Sequence, residues 1–377
     1  MRVVIAGGGT GGHTSAGLAV AAVLREHGGV EVHWIGSRGG VEAQRVPLAG
    51  LPFHAISVGK LRRYWDWRNM PDLALRAPAG TAQAWRLLRR LRPSLLFATG
   101  GFVALPPALA AGALGIPVVI HEQTSVPGLA NRIAGRFARR IAITFPLSGG
   151  DFRPDRVTLT GNPLRPELVG GSREAACRRF GLDPAAPIVY VTGGAQGSHR
   201  INRTVGEILA ALLSTCQIIH QCGDNPETDD GAWLAERQRA LPTALRSRHA
   251  LSPYVGEELR DVFAAAELVI GRSGAGTVNE CCHLAKPAIY IPLPGTSGDE
   301  QTHNARLVEA AGGAVAFPQV SLTPAGLLEA VRRLLADRPA LRAMGERARR
   351  LAVPDAAERI ARLLFEVAAL GRGTRRA

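Results

Sequence analysis

The sequence predicts two successive α/β units, each a parallel sheet covered by helices. Three observations predict it. The N-terminus runs from a short apolar strand, 2–6, through a glycine-rich turn, 7–12, into a helix. The same order restarts at Pro187, with a strand at 187–192, a second glycine turn at 193–197 and a helix after it. Between and beyond these points, short apolar runs alternate with helical segments, the signature of parallel strands joined by helical crossovers.

The first unit's helix is expected over 18–25, with Gly28-Gly29 ending it. Further strands are expected at 30–35, 95–98, 118–121, 141–144 and 157–160, with an arginine-rich helix over 82–92. In the second unit, a helix is expected over 202–213 and strands at 217–220, 268–270 and 288–291. Gly161, Pro163, Pro166, Gly170 and Gly171 read as the linker. The domains are therefore set at 1–160 and 161–350, with a C-terminal helix over 351–377 returning to the first domain. A chain of 377 residues is long enough for two such cores.

Composition narrows the function. Hydrophobic residues make up 46% and charged residues 20%, which is globular. The N-terminus lacks the basic start and apolar run of a signal peptide, and no apolar stretch is long enough to span a bilayer. Cys177, Cys216, Cys222, Cys281 and Cys282 form no CxxC pair and no zinc spacing, so they read as reduced thiols in a reducing compartment. The net charge of +14 is carried by arginine, since Lys60 and Lys286 are the only lysines. Such a chain is drawn to polyanions. No nucleic-acid module accompanies the charge, which leaves acidic lipid and a phosphorylated substrate as the better partners.

The first glycine turn, Gly7-Gly8-Gly9-Thr10-Gly11-Gly12, satisfies GxGxxG. Glycines at a helix start let N–H groups approach an anion. A dinucleotide site also expects an acid at the end of the second strand; Ile35-Gly36-Ser37-Arg38 has none, although Arg38 suits a 2′-phosphate. The motif alone is shared between a nicotinamide cofactor and another diphosphate. His13 follows at the helix mouth, where it can take a proton from a hydroxyl or merely bond its neighbours. His121-Glu122-Gln123 follows a strand and reads equally as crevice residues or as a structural ion pair. The turn 193–197 is a second phosphate-type loop, and Arg165 can supply charge to a diphosphate. The run 272–280 opens a helix behind a third such turn, with Glu280 able to accept both hydroxyls of a ribose or to serve as a surface acid. Asp299, Gln301 and Asn304 read as a sugar-binding loop or a solvated one. There is no Walker A, GxSxG or DxD sequence, so a nucleotide-sugar diphosphate would be neutralised by arginine and helix starts, with no metal.

Taken together and in order, these loops resemble the MurG family: Gly8-Gly9-Thr10-Gly11-Gly12-His13, Gly100-Gly101-Phe102, His121-Glu122-Gln123, Pro127-Gly128-Leu129-Ala130-Asn131, Gly161-Asn162-Pro163-Leu164-Arg165, Gly193-Gly194-Ala195-Gln196-Gly197, residues 272–280, and Asp299, Gln301 and Asn304. Pro354-Asp355-Ala356-Ala357-Glu358-Arg359 belongs to the same pattern. The resemblance implies a GT-B fold, two Rossmann-like domains facing across a cleft. It implies transfer of N-acetylglucosamine from UDP-N-acetylglucosamine to undecaprenyl-diphosphate-linked muramyl-pentapeptide, lipid I to lipid II. His13 is then the base of a single inverting displacement. The acceptor is assigned Gly9, Gly11, Gly12, Gly101, His121 and Glu122. The donor is assigned Thr10, Gly11, Gly12, Thr124, Arg165, Ala195, Ala275, Gly276, Thr277, Val278, Asn279 and Glu280, with Val255 beside the uracil and Gln301 on the sugar. No cofactor and no metal are expected.

Three places depart from the family pattern. Thr124 stands where asparagine is usual, Ala195 where serine is usual, and Thr14-Ser15-Ala16 where apolar residues and proline are usual. The alternatives are a paralogue with another UDP-sugar or acceptor, a UDP-N-acetylglucosamine 2-epimerase on the same fold, and a UDP-sugar-binding scaffold. Lys60, Arg62, Arg63, Tyr64, Trp65, Trp67 and Arg68 form a basic, aromatic cluster. With the helix at 82–92 it suggests peripheral attachment to an anionic membrane, on its cytoplasmic face.

Overall fold

The computed structural model describes residues 1–59 and 76–373. The cluster between Lys60 and Arg68 lies outside them. The chain divides into two compact units: Met1–Arg165 with Thr296–Glu300 and Val353–Ala377, and Pro166–Gly295 with Gln301–Ala352.

The first unit holds a seven-stranded parallel sheet of β1 (Arg2–Gly7), β2 (Glu31–Ser37), β3 (Phe53–Ile56), β4 (Leu95–Gly100), β5 (Val118–Glu122), β6 (Arg140–Ile143) and β7 (Val157–Leu159). Its order is β3-β2-β1-β4-β5-β6-β7. The central strands β4 and β5 are buried along their whole length, and β1 from Val3 on, which is why they read as unbroken apolar runs. One face of the sheet, through Val4, Ile35, Leu96 and Ile120, packs on the helices Ala77–Leu91 and Leu105–Ala113 through Leu88 and Ala108. The other face, through Ile5, Trp34 and Phe97, packs on the helix Gly11–Glu26 and on Ile360, Leu364 and Val367 of the helix Ala356–Gly373.

The second unit holds a six-stranded parallel sheet of β8 (Ile188–Thr192), β9 (Gln217–Gln221), β10 (His249–Ser252), β11 (Leu268–Gly271), β12 (Ala288–Tyr290) and β13 (Ala314–Ala316), in the order β10-β9-β8-β11-β12-β13. Both orders reverse direction beside the first strand, between β1 and β4 and between β8 and β11. In open parallel sheets, ligands bind outside the carboxyl ends of the strands at such a reversal.

Three strands escape a reading of the sequence: β3, β10 and β13, all at sheet edges and only three or four residues long. The first helix begins at Gly11, directly out of the glycine turn and well before Leu18. The helix expected over 202–213 starts earlier, at His199, and breaks at Ile208, giving His199–Glu207 and Leu209–Leu213. All five cysteines are unpaired and buried. Among the described residues, no helix is long and apolar enough to cross a membrane.

Candidate active site

In the first unit, the carboxyl ends of β1, β4 and β5 converge on the start of the helix Gly11–Glu26. Thr10 is the N-cap, in extended conformation, and its side chain caps nothing. The first turn contains no acid. A helix start leaves its first N–H groups without intrahelical acceptors, and the macrodipole makes them favourable to an anion. Gly11 and Thr10 are exposed, and Gly12 and His13 are half-buried.

His13 is held by β4. Its Nδ1 lies 2.8 Å from the carbonyl oxygen of Thr99. A carbonyl only accepts, so Nδ1 carries the proton and the lone pair of the neutral ring is on Nε2. Burial lowers the His13 pKa below the ordinary histidine value, opposed by the negative charges of Glu122 and Glu42 and by the Thr99 bond. The ring is therefore neutral near pH 7. Gly100 and Gly101 make its place: their φ values are +103° and +75°, and a Cβ would come within 2.8 Å of His13 Cε1 at Gly100 and within 3.3 Å of His13 Cδ2 at Gly101.

His121 and Glu122, which end β5, and Gln123 after them work inside the protein. Glu122 is buried, and its carboxylate accepts from Thr124 N (2.9 Å), Thr124 Oγ1 (2.7 Å), Gly128 N (3.2 Å) and Asn131 Nδ2 (2.9 Å). It shapes the loop from Thr124 to Asn131. His121 is fully buried, with Nε2 3.0 Å from the carbonyl of Gly161, and burial takes its pKa down to about 4. His121 and Glu122, expected at the acceptor, are both buried, His121 on the Gly161 carbonyl and Glu122 on the loop that follows it. Thr124, expected at the donor, has its N–H and hydroxyl turned to Glu122 and Val126. Gln123 donates from Nε2 to the carbonyl of Gly12 at 3.5 Å, tying this loop to the helix mouth.

Sequence reasoning missed Glu42. It opens the helix Glu42–Leu48, is fully buried, and accepts from Gly9 N (2.9 Å), Ser37 N (2.9 Å) and Ser37 Oγ (2.5 Å). The N–H of Gly9, a residue expected at the acceptor, is thus already bonded within the protein. The dinucleotide reading looked for an acid on Ser37 or Arg38. The acid comes five residues after Ser37 and is occupied by the loop itself. The signal available in the sequence was the Gly39-Gly40 pair just ahead of it.

In the second unit, the helix Ala275–His283 begins at the reversal beside β11. Gly274 is its N-cap, no side chain caps it, and its first turn has no acid. The N–H of Val278, a residue expected at the donor, bonds the Gly274 carbonyl, and its side chain is fully buried. Ala275, Gly276 and Thr277 remain half-exposed at the helix mouth, and Glu280 is half-exposed one turn on. Asn279 is buried. Beneath the mouth, Ser273 Oγ donates to the Gln301 carbonyl (2.7 Å) and Asn304 Nδ2 to the Ser273 carbonyl (3.1 Å). Gln301 Oε1 accepts from Leu293 N at 3.0 Å, which fixes its amide plane and leaves the NH2 end pointing away from that bond. Arg272 bonds the carbonyls of Ile291 and Pro292 and Gln319 Oε1, bracing β11 to β12.

The turn after β8 is built differently. A Cβ at Gly193 would lie 2.2 Å from Ser198 N, and one at Gly197 would lie 1.8 Å from the Cys222 carbonyl oxygen, so packing alone requires these glycines. The helix behind it is capped by Ser198, whose Oγ accepts from Ile201 N. Ala195 stands exposed at the tip. Val255 is buried, its N–H bonded to Gln221 Oε1 at 3.2 Å, and Gln221 Nε2 bonds the Gly194 carbonyl at 2.8 Å. Arg165 is half-buried at the end of the first unit's main segment.

Comparisons with known proteins agree with this architecture. The glycosyltransferase family 28 N-terminal domain matches residues 3–143, and the family 28 C-terminal domain matches residues 188–360. A UDP-N-acetylglucosamine--N-acetylmuramyl-(pentapeptide) pyrophosphoryl-undecaprenol N-acetylglucosamine transferase of Moorella thermoacetica is 37% identical, over 98% of this chain and 100% of its own length. The crystal structure of Acinetobacter baumannii MurG superposes with a TM-score of 0.72 at 27% identity, covering 97% of this chain and 99% of that one. A UDP-GlcNAc 2-epimerase from Neisseria meningitidis has a TM-score of 0.69 at 15% identity, covering 97% and 100%, a likeness of fold alone.

Proposed function

This chain belongs to the MurG family of the family 28 glycosyltransferases, with their GT-B fold of two Rossmann-like domains, and from that membership we propose how its residues divide the work. It transfers N-acetylglucosamine from UDP-N-acetylglucosamine to undecaprenyl-diphosphate-linked muramyl-pentapeptide, converting lipid I to lipid II. The acceptor's diphosphate is bound at the open helix start formed by Gly11, Gly12 and His13. The donor's diphosphate is bound at the other open start, Ala275–Thr277, with no metal required. Glu280 accepts the ribose hydroxyls, the segment at Val255 flanks the uracil, and the NH2 of Gln301 reads the sugar.

The reaction is one inverting displacement. The acceptor hydroxyl oxygen bonds to the anomeric carbon while the bond from that carbon to the UDP oxygen breaks. The electron pair leaves with UDP, and the hydroxyl proton passes to His13 Nε2. The observation that carries this reading is the anchored ring: Nδ1 fixed on Thr99 turns the basic nitrogen of a neutral histidine outward at an uncapped helix start.

The protein works at the cytoplasmic face of a membrane without crossing it. Ala77, Pro78, Thr81, Trp85 and Leu109 line an apolar groove of about 600 Å³, and Arg86, Arg89 and Arg90 are exposed beside it, with Arg89 stacked 4.6 Å over Trp85. Apolar and arginine side chains in one patch suit an anionic interface. Flotation with anionic vesicles should be lost on replacing the three arginines by glutamate.

The catalytic reading is tested by mixing protein, UDP-N-acetylglucosamine and a short-chain lipid I analogue in excess chelator, and following UDP release beside product mass. The expected result is stoichiometric UDP with one added N-acetylhexosamine on the acceptor. Conversion of the donor to a UDP-linked epimer without lipid acceptor would favour the epimerase chemistry, and donor binding with no product a scaffold.

A further inference from the structure

We propose that Glu42 is the positioning residue of the acceptor loop: its buried carboxylate clamps the glycine turn to the end of β2 and thereby sets the place of His13. The inference rests on the catalytic reading above and adds a residue to it.

The geometry is closed on every side. One carboxylate oxygen accepts from Gly9 N at 2.9 Å, and the other accepts from Ser37 N at 2.9 Å and Ser37 Oγ at 2.5 Å. A buried charge is tolerated only when hydrogen-bonded, and here three donors from two loops meet it. Three glycines make room for it. A Cβ would lie 2.1 Å from the Glu42 carboxyl carbon at Gly8, 2.7 Å from Cγ at Gly36, and 2.2 Å from Oε2 at Gly40. Gly8 is therefore set by Glu42 from below, not by a ligand from above. With its Gly9 bond, the carboxylate removes one N–H from the anion-facing set and leaves the acceptor to those of the helix start.

Glu42 also acts on the base by charge. The groups facing His13 are Glu122 at the end of β5, Glu42, and neutral His121; both carboxylates favour the protonated ring. Glu122 is committed to its own loop, so Glu42 is the charge that also holds the turn carrying His13.

Two variants separate anchor from charge. Glu42→Gln keeps the length and loses the charge. Glu42→Asp keeps the charge and loses the reach. His13 is titrated by NMR through its Cε1 resonance in each full-length variant, and KM for acceptor and donor and the pH profile of kcat/KM are measured separately. For Glu42→Gln, the His13 titration and the acid limb should move together to lower pH. For both variants, acceptor KM should rise about tenfold, the cost of a lost charge-assisted bond, with donor KM and UDP binding unchanged. An unmoved His13 titration in Glu42→Gln, or an acceptor KM unchanged in both variants, would overturn the role of Glu42. If the NMR titration and acceptor KM move but the acid limb stays, the positioning role stands and the assignment of His13 as base falls.

Discussion

Helix Gly11–Glu26 and helix His199–Glu207 both follow the first strand of a sheet and a glycine turn, at the point where strand order reverses. In the sequence the two turns look alike. In the structure the first helix start is open, while Ser198 Oγ closes the second. The open start of the second unit is instead the helix Ala275–His283, whose N-cap is Gly274. The difference teaches that a glycine turn is only a geometric licence. Whether it becomes an anion site depends on the residue at the cap, because a side-chain oxygen there uses up the N–H groups an anion would take.

The two units should part most visibly in acid. His121 in the first unit and His249 in the second are buried with pKa values of about 4, and burial holds His220, beside His249, well below the ordinary value. An unfolded chain protonates histidine near pH 6.5, so these residues favour the folded state above that pH and lose that preference as pH falls towards 4. The loss is on the order of 3 kcal/mol for each histidine with a pKa of about 4. His13 and His54 of the first unit are lowered as well, but in the second unit His249 Nε2 lies 3.4 Å from His220 Nδ1, so the two cannot both take up charge without repulsion and this unit should unfold first; hydrogen exchange at pH 5, resolved by peptide, checks this. Equal loss of protection in both units would remove the distinction.

Smaller effects come from closing the open starts. Gly274 and Gly11 have free space for a Cβ and need no positive φ. Gly274→Asp should raise donor KM about tenfold and leave acceptor KM alone, while Gly11→Asp should do the reverse, since a carboxylate at either mouth competes with a diphosphate. Isothermal titration with UDP and steady-state kinetics separate the two; matched effects on both substrates would break the division of labour. The smallest change is expected at the capped helix. Ser198→Ala should cost about 1 kcal/mol of stability by chemical denaturation and barely change UDP affinity.

The central strands were legible because full burial makes them continuous apolar runs, and Ile188–Thr192 or Val118–Glu122 needs nothing else to be found. The edge strands were not. Phe53–Ile56 carries His54, His249–Ser252 is half polar, and Ala314–Ala316 has three residues, all too short or too mixed for a period to show. The loops that open helices were readable by composition. The roles of neighbouring residues were not, because a motif does not say which way a side chain turns. His121 and Glu122 face inward to backbone groups, Val278 is core, and Glu42, with no motif of its own, reaches back 33 residues to Gly9.

The central claim is that His13, fixed by Thr99, is the base at an open helix start. The most direct measurement is single-turnover transfer by His13→Ala, with UDP affinity determined on the same protein. A fall of about a thousandfold in the transfer rate with UDP affinity unchanged is the predicted result. Transfer within tenfold of the parent at neutral pH would contradict it and place the base elsewhere.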